Sequence, residues 1–123
     1  MDEQQKTLLI VDDSLVVRKA IKKFLEEYNL KIVGNASNGE DALELFKKFR
    51  PDFVTLDITM PGLDGFHVLE EMIKINQQTH IIVITALADK ATGLKAIKSG
   101  ATNFLTKPFG PVKLKKAFDR LLY

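Results

Sequence analysis

Short apolar runs recur along the chain, and amphipathic segments separate them. Three runs are continuous rather than alternating, which is typical of strands covered on both faces: residues 8–11, 53–56 and 81–84. Two runs are shorter or more polar, residues 32–33 and 103–106, and we expect these strands nearer the edges. This alternation of strands and helices predicts a parallel sheet, because neighbouring parallel strands need crossover connections and helices usually supply them.

Five segments with a helical period of apolar residues follow the five strands. Their apolar positions are Val17, Ile21, Phe24 and Leu25; Ala42, Leu45, Phe46 and Phe49; Phe66, Leu69, Met72 and Ile73; Leu94 and Ile97, within about residues 89–99; and Leu114, Ala117, Phe118 and Leu121, within residues 111–122. Ser14, Asp64 and Asp89 are expected N-caps, Gly100 ends the fourth helix and Pro111 opens the fifth. Two turns are expected, at residues 38–39 and 61–62.

The order of these elements predicts an α/β fold of three layers, a doubly wound (βα)5 domain with a five-stranded parallel sheet. The flavodoxin-like strand order 2-1-3-4-5 is the usual one at this size, and it places a crevice at the carboxyl ends of the first and third strands. The length of 123 residues suits one domain, so we expect a single domain over residues 1–123.

Composition excludes several classes of function. The net charge of +2 is too small to indicate nucleic acid as a partner, and the absence of cysteine excludes disulfides and thiolate metal sites. No apolar run approaches the roughly 20 residues of a membrane span, and the polar N-terminus lacks a signal core. We therefore expect a soluble cytoplasmic protein that binds neither nucleic acid nor membrane.

Polar residues follow four of the five predicted strands at the point where each strand ends. Asp12 and Asp13 follow the first strand, Asp57 the third, Thr85 the fourth and Lys107 the fifth. Alone, each has an ordinary structural explanation, such as a helix cap, a loop acid or a solvated lysine. Because the carboxyl ends of parallel strands share one edge of the sheet, we expect all five side chains to meet there.

Three carboxylates at one edge need a cation. Two unit charges 4 Å apart repel by roughly 4 kcal/mol at an effective dielectric constant near 20. Lys107 supplies one positive charge, and carboxylate oxygens are ligands that suit Mg²⁺. Such a site favours phosphoryl transfer, in which catalysis is mostly positioning and electrostatic stabilisation. Asp57, at the end of a central strand, is the best candidate for a carboxylate nucleophile.

These residues stand in motifs that resemble the receiver domains of bacterial two-component response regulators, especially the chemotaxis (CheY-like) type. The resemblance covers residues 7–122. Its blocks are residues 9–14 (LIVDDS), 38–42 (NGEDA), 56–65 (LDITMPGLDG), 84–86 (ITA), 100–101 (GA) and 107–109 (KPF). Together these blocks are highly specific, although no single one would be.

The resemblance implies a role for each acid. Asp57 matches the aspartate that accepts the phosphoryl group, with Mg²⁺ as the cofactor. Asp13 matches a direct metal ligand, Asp12 a ligand that acts largely through water, and the backbone carbonyl of Thr59 the third ligand from the protein.

The resemblance also implies a switch. Lys107 matches the lysine that pairs with the phosphoryl group, and its bond to Pro108 is cis in the family. Thr85 matches a hydroxyl that moves toward the phosphoryl oxygens, and Phe104 an aromatic residue that turns inward behind it. The surface of helix four, strand five and helix five then changes shape.

The function so implied is a signalling switch rather than a metabolic enzyme, with only self-catalysed phosphotransfer and dephosphorylation. A histidine kinase would donate the phosphoryl group. The readout would be binding of a target protein by a monomer, and the flagellar motor switch is a candidate for that target.

Three alternatives stay open. A phosphatase of the haloacid-dehalogenase class wants an acid two residues after its nucleophile, where this chain has Thr59. A flavin module wants a phosphate-binding loop where this chain has Asp12 and Asp13. The third is the receiver of a truncated DNA-binding regulator. It usually dimerises with an acid before the leucine of helix five, where Lys113 precedes Leu114.

Overall fold

The computed structural model describes residues 5–60, 62, 64–87 and 89–122. Its strands are Thr7–Val11 (β1), Lys31–Ala36 (β2), Phe53–Asp57 (β3), His80–Thr85 (β4) and Asn103–Thr106 (β5). Its helices are Leu15–Phe24 (α1), Gly39–Phe49 (α2), Gly65–Ile75 (α3), Lys90–Lys98 (α4) and Pro111–Leu122 (α5), with a short 3₁₀ turn, Glu26–Tyr28, after α1. Strands and helices therefore alternate as expected from the sequence.

The five strands form one parallel sheet in the order β2-β1-β3-β4-β5. This order confirms the predicted flavodoxin-like fold and places the two more polar strands, β2 and β5, at the edges. The register pairs Val11 with Leu56 and Asp57 with Ile84, so the ends of β1, β3 and β4 lie at the same edge of the sheet.

Helices cover both faces of the sheet. On one face, buried residues of α2, α3 and α4 pack against the strands, among them Phe46, Met72 and Ala96. On the other face, α1 and α5 bury Ile21 and Phe118 against the sheet. The three central strands have apolar residues on both faces, which explains their continuous apolar runs.

The predicted helix boundaries agree with the caps. Ser14, Asp64 and Asp89 each cap a helix through a side-chain oxygen that accepts a backbone N–H bond. Gly100 follows α4 with a φ of +113°, a conformation that favours glycine, and Pro111 opens α5. The expected turn at residues 38–39 is instead the start of α2, with Asn38 as the N-cap. Pro61 of the other expected turn lies outside the described residues.

Three of the apolar positions in the predicted helices are exposed rather than covered. Leu94 and Ile97 are 62% and 48% exposed, and Ala96 is the residue that α4 buries. Phe49, the last residue of α2, is 40% exposed. An apolar period shows that a helix has an apolar face, but which face is covered depends on the neighbouring elements. None of the helices in the described ranges is both long enough and apolar enough to span a membrane.

Candidate functional site

Three carboxylates meet where β1 and β3 end. One oxygen from each of Asp12, Asp13 and Asp57 lies within 4.8 Å of the others. Asp12 and Asp57 are buried and Asp13 is exposed, so the cluster opens to solvent on one side. The sheet produces this arrangement because β1 and β3 are adjacent parallel strands that end side by side.

Lys107 is the cation of this cluster. Its Nζ lies 2.9 Å from Asp12 Oδ2 and 3.0 Å from Asp57 Oδ2. The backbone N–H of Lys107 donates to the carbonyl of Thr85 at 2.7 Å, so the end of β4 holds the lysine in place. The peptide bond between Lys107 and Pro108 is cis, as in the family that the sequence resembles.

The environment acts differently on the two kinds of charge. Burial raises the pKa of Asp12 above its ordinary value, as does the nearby charge of Asp57, while bonds from Ser14 and Lys107 oppose the shift. Burial alone would lower the pKa of Lys107, but its bonds to Asp12 and Asp57 outweigh burial and raise it. The lysine therefore stays charged at neutral pH, and Asp12 carries its charge at a cost that a second cation would reduce.

The cluster fits a hard divalent cation. Asp12 Oδ2 is buried and, despite its ion pair with Lys107, accepts no well-aligned hydrogen bond from the residues that the structure describes. The Asp13 carboxylate is exposed beside it. A set of carboxylate oxygens with room for water suits Mg²⁺, which keeps several waters and takes few protein ligands.

Thr59 holds one oxygen of the central aspartate. The backbone N–H and the hydroxyl of Thr59 both donate to Asp57 Oδ1, at 2.8 and 2.6 Å. Since Lys107 pairs with Oδ2, the two oxygens of Asp57 have different partners. The sequence indicated Thr59 for its carbonyl but gave no sign that its hydroxyl contacts Asp57.

Thr85 and Phe104 lie on neighbouring strands. Thr85 is fully buried at the end of β4, and its Oγ1 accepts a hydrogen bond from the Leu87 N–H at 3.0 Å. Phe104 lies half-buried on β5, three residues before Lys107. Its ring packs so closely on α4 that a Cβ at Gly93 would lie 3.1 Å from it.

Arg18 also contacts this site, which was not predicted from the sequence. Arg18 Nη1 donates to the backbone carbonyl of Asp12 at 2.5 Å, and the Ser14 N–H donates to Asp12 Oδ1 at 2.9 Å. Arg18 follows the N-cap Ser14 by four residues, so the two lie on one side of α1. That spacing is the only signal that could have indicated Arg18.

Known proteins share both the sequence and the fold. The chemotaxis protein CheY of Thermotoga maritima is 38% identical over 116 residues, which are 94% of this chain and 97% of that protein. CheY of Bacillus subtilis is 38% identical over 94% of this chain and 96% of its own length. A solved CheX–CheY–BeF3–Mg complex from Borrelia burgdorferi superposes with a TM-score of 0.90 at 29% identity, covering 96% of this chain and 90% of that one.

The family match spans most of the chain. Residues 8–119 match the family described as the response regulator receiver domain, and this range contains all the site residues discussed above. Proteins of this family act in two-component signalling and bind Mg²⁺ at an acidic pocket, which agrees with the cluster of Asp12, Asp13 and Asp57. The chain belongs to the response regulator receiver domain family.

Proposed function

We propose that this chain is a phosphorylation-dependent switch that accepts a phosphoryl group on Asp57 from a histidine kinase. The observation that carries the proposal is the buried Asp57 carboxylate, set between Lys107 and two further acids at the open edge of the sheet. The ends of strands in a doubly wound sheet are where ligands bind. A cytoplasmic place of action and a monomeric state are parts of the same proposal.

Transfer proceeds by attack of a carboxylate oxygen of Asp57 on phosphorus. The bond from phosphorus to the histidine nitrogen breaks, and its electron pair returns to the imidazole. Lys107, already within 3.0 Å of Asp57 Oδ2, offsets the negative charge of the phosphoryl oxygens. Asp13, Asp57 and the Thr59 carbonyl, with Asp12 through water, would hold Mg²⁺, which supplies further positive charge there.

The switch uses Thr85 and Phe104. A phosphoryl group adds strong acceptor oxygens beside Thr85, whose hydroxyl now accepts from Leu87. Turning that hydroxyl toward the phosphoryl group breaks its bond from Leu87 and frees space that the Phe104 ring can enter. Because Phe104 packs against Gly93, its movement alters the outer surface of α4 and β5.

Two surfaces suit the two protein partners. A groove of about 360 Å³ beside Lys107 is lined mainly by apolar side chains, and we propose that the kinase docks there: Val16, Val17, Ala20, Phe24, Lys107, Pro108 and Phe109. The exposed residues Leu87, Leu94 and Ile97 lie at or near α4. We propose that they contribute to the target surface, since exposed apolar patches mark interaction sites. A flagellar motor protein is the proposed target.

The test adds beryllofluoride, a phosphoryl analogue, to the protein with Mg²⁺ and follows backbone amide signals by NMR. The wild type should show shifts around Thr85 and Phe104, whereas Asp57→Asn should show none. Asp41→Asn is the matched control, because it removes an exposed aspartate on α2, and it should respond like the wild type. An unchanged response in Asp57→Asn would end the proposal.

A further inference from the structure

Arg18 donates a short hydrogen bond to the loop that carries the acids. Its Nη1 lies 2.5 Å from the carbonyl oxygen of Asp12, and the arginine is half-buried on α1. The carbonyl belongs to the peptide unit that joins Asp12 to Asp13. The guanidinium therefore contacts the backbone between the two acids, not the carboxylates themselves.

Each polar group of Asp12 lies next to a different partner. Its N–H donates to the Ala36 carbonyl at 3.0 Å, and its Oδ1 accepts from the Ser14 N–H at 2.9 Å. Its Oδ2 pairs with Lys107. The remaining group, the carbonyl, lies just beyond the last residue of β1, so a side chain rather than the sheet supplies its hydrogen bond.

We propose that Arg18 is a positioning residue of the metal site, which orients the peptide between Asp12 and Asp13 and so aims the Asp13 carboxylate. The inference rests on the proposed function, because it concerns the same Mg²⁺ site. Asp13 itself is exposed, and its carboxylate has no hydrogen bond or ion pair among the residues that the structure describes. The direction of Asp13 thus depends on its backbone, which Arg18 restrains from the side of α1.

A role in positioning and a role of charge predict opposite results. A guanidinium near the acids repels a divalent cation, so its removal by charge alone should tighten Mg²⁺ binding. Loss of a restraint on the ligand peptide should weaken it instead, and loss of such outer contacts typically costs 10–100-fold in metal affinity. The sign of the change in Mg²⁺ affinity therefore distinguishes the two roles.

The experiment titrates metal-free protein with Mg²⁺ in a calorimeter, well below the unfolding temperature. We expect Arg18→Met to bind Mg²⁺ about tenfold more weakly than the wild type. Arg18→Lys, which keeps a charged donor, should recover part of the affinity. Lys19→Met is the matched control, since it removes the same charge from an exposed neighbour on α1, and it should bind no more weakly than the wild type.

A second readout needs no metal. The Ser14 N–H bonds to Asp12 Oδ1 in the same loop, so Arg18→Met should speed hydrogen exchange at the Ser14 amide, and Lys19→Met should not. If Arg18→Met folds poorly, Arg18→Gln serves as the test variant instead. The glutamine side chain is shorter than that of arginine and should not reach the carbonyl of Asp12, so this variant also loses the hydrogen bond.

The outcomes separate this inference from the proposed function. If the wild type binds Mg²⁺, Asp13→Asn weakens that binding and Arg18→Met binds as tightly as the wild type, the role of Arg18 is wrong while the site stands. If the wild type binds no Mg²⁺ at millimolar concentrations, the inference and the proposed metal site both fail.

Discussion

Replacing Asp12 by Asn should stabilise the metal-free protein and destabilise the protein with Mg²⁺ relative to the wild type. Asp12 lies within 4.8 Å of the other two acids, so each repels it by at least about 3.5 kcal/mol at an effective dielectric constant near 20. Lys107, at 2.9 Å, attracts it by about 6 kcal/mol. Solvent screens the exposed Asp13, so attraction and repulsion nearly cancel.

Burial of the Asp12 carboxylate then decides the sign, as its raised pKa indicates. An asparagine at this position keeps an oxygen for the Ser14 N–H and avoids the buried charge. A buried polar group without a full set of hydrogen bonds typically costs about 1–3 kcal/mol, so we expect a gain of about 1 kcal/mol in the free energy of unfolding when this charge is removed. For a domain of this size the melting temperature should rise by about 4 °C.

With Mg²⁺ present, the wild type should be more stable than Asp12→Asn. At a concentration 100 times its dissociation constant, a ligand stabilises the folded state by about 2.7 kcal/mol, and the variant should lose much of this. Urea unfolding with EDTA and then with Mg²⁺ measures both effects. A pH series gives a check of sign: a raised folded pKa makes the metal-free wild type more stable as the pH falls from neutral toward about 4, and the variant should lack this gain.

The reasoning would be refuted if the variant unfolded more easily than the wild type in EDTA. A loss of about 3 kcal/mol or more would mean that the pair of Asp12 and Lys107 is a structural ion pair, not a site short of cations.

Three further predictions concern stability. Thr55 Oγ1 is buried and neither donates nor accepts a hydrogen bond within the described part of the chain. Thr55→Val should therefore raise the free energy of unfolding, measured with urea, by about 1 kcal/mol. A loss of stability would mean that the hydroxyl has a partner, such as a water. A Cβ at Gly65 would lie 2.4 Å from the backbone of Ile58, so Gly65→Ala should cost about 3 kcal/mol in the same assay, and a neutral result would contradict the packing of α3 on the end of β3. The hydrogen bond from the Thr92 N–H lowers the pKa of Asp89. The charged Asp89 carboxylate therefore stabilises the folded state above its unfolded pKa of about 4, and this stabilisation should be lost as the pH falls through the lower folded pKa. The difference in the free energy of unfolding between the wild type and Asp89→Ala should shrink only in acid.

The sequence predicted most of the fold because its signals are local. Continuous apolar runs identified the covered strands, and Ser14, Asp64 and Asp89 identified the helix starts. The same signals failed for Leu94 and Ile97, since periodicity cannot tell a face that packs on the sheet from one that faces solvent. Which face of α4 is covered depends on how that helix docks, and this involves contacts distant in sequence.

The site was predictable as a set of strand ends, not as a network of bonds. The rule for parallel sheets places Asp12 and Asp57 at one edge from the strand order alone. The two hydrogen bonds from Thr59 to one oxygen of Asp57 depend on the loop backbone, for which residue types give no pattern. The bond from Arg18 to a carbonyl is equally hidden, because every residue has a carbonyl and only the folded loop selects one.

Chemical trapping of the phosphoryl group tests the central claim most directly. The protein is incubated with a small-molecule phosphoryl donor and Mg²⁺, reduced with borohydride, which converts an acyl phosphate to an alcohol, and digested for mass spectrometry. We expect the reduced residue at Asp57, dependent on Mg²⁺ and missing from Asp57→Asn. A product at another residue, or an equal yield in EDTA, would contradict the account.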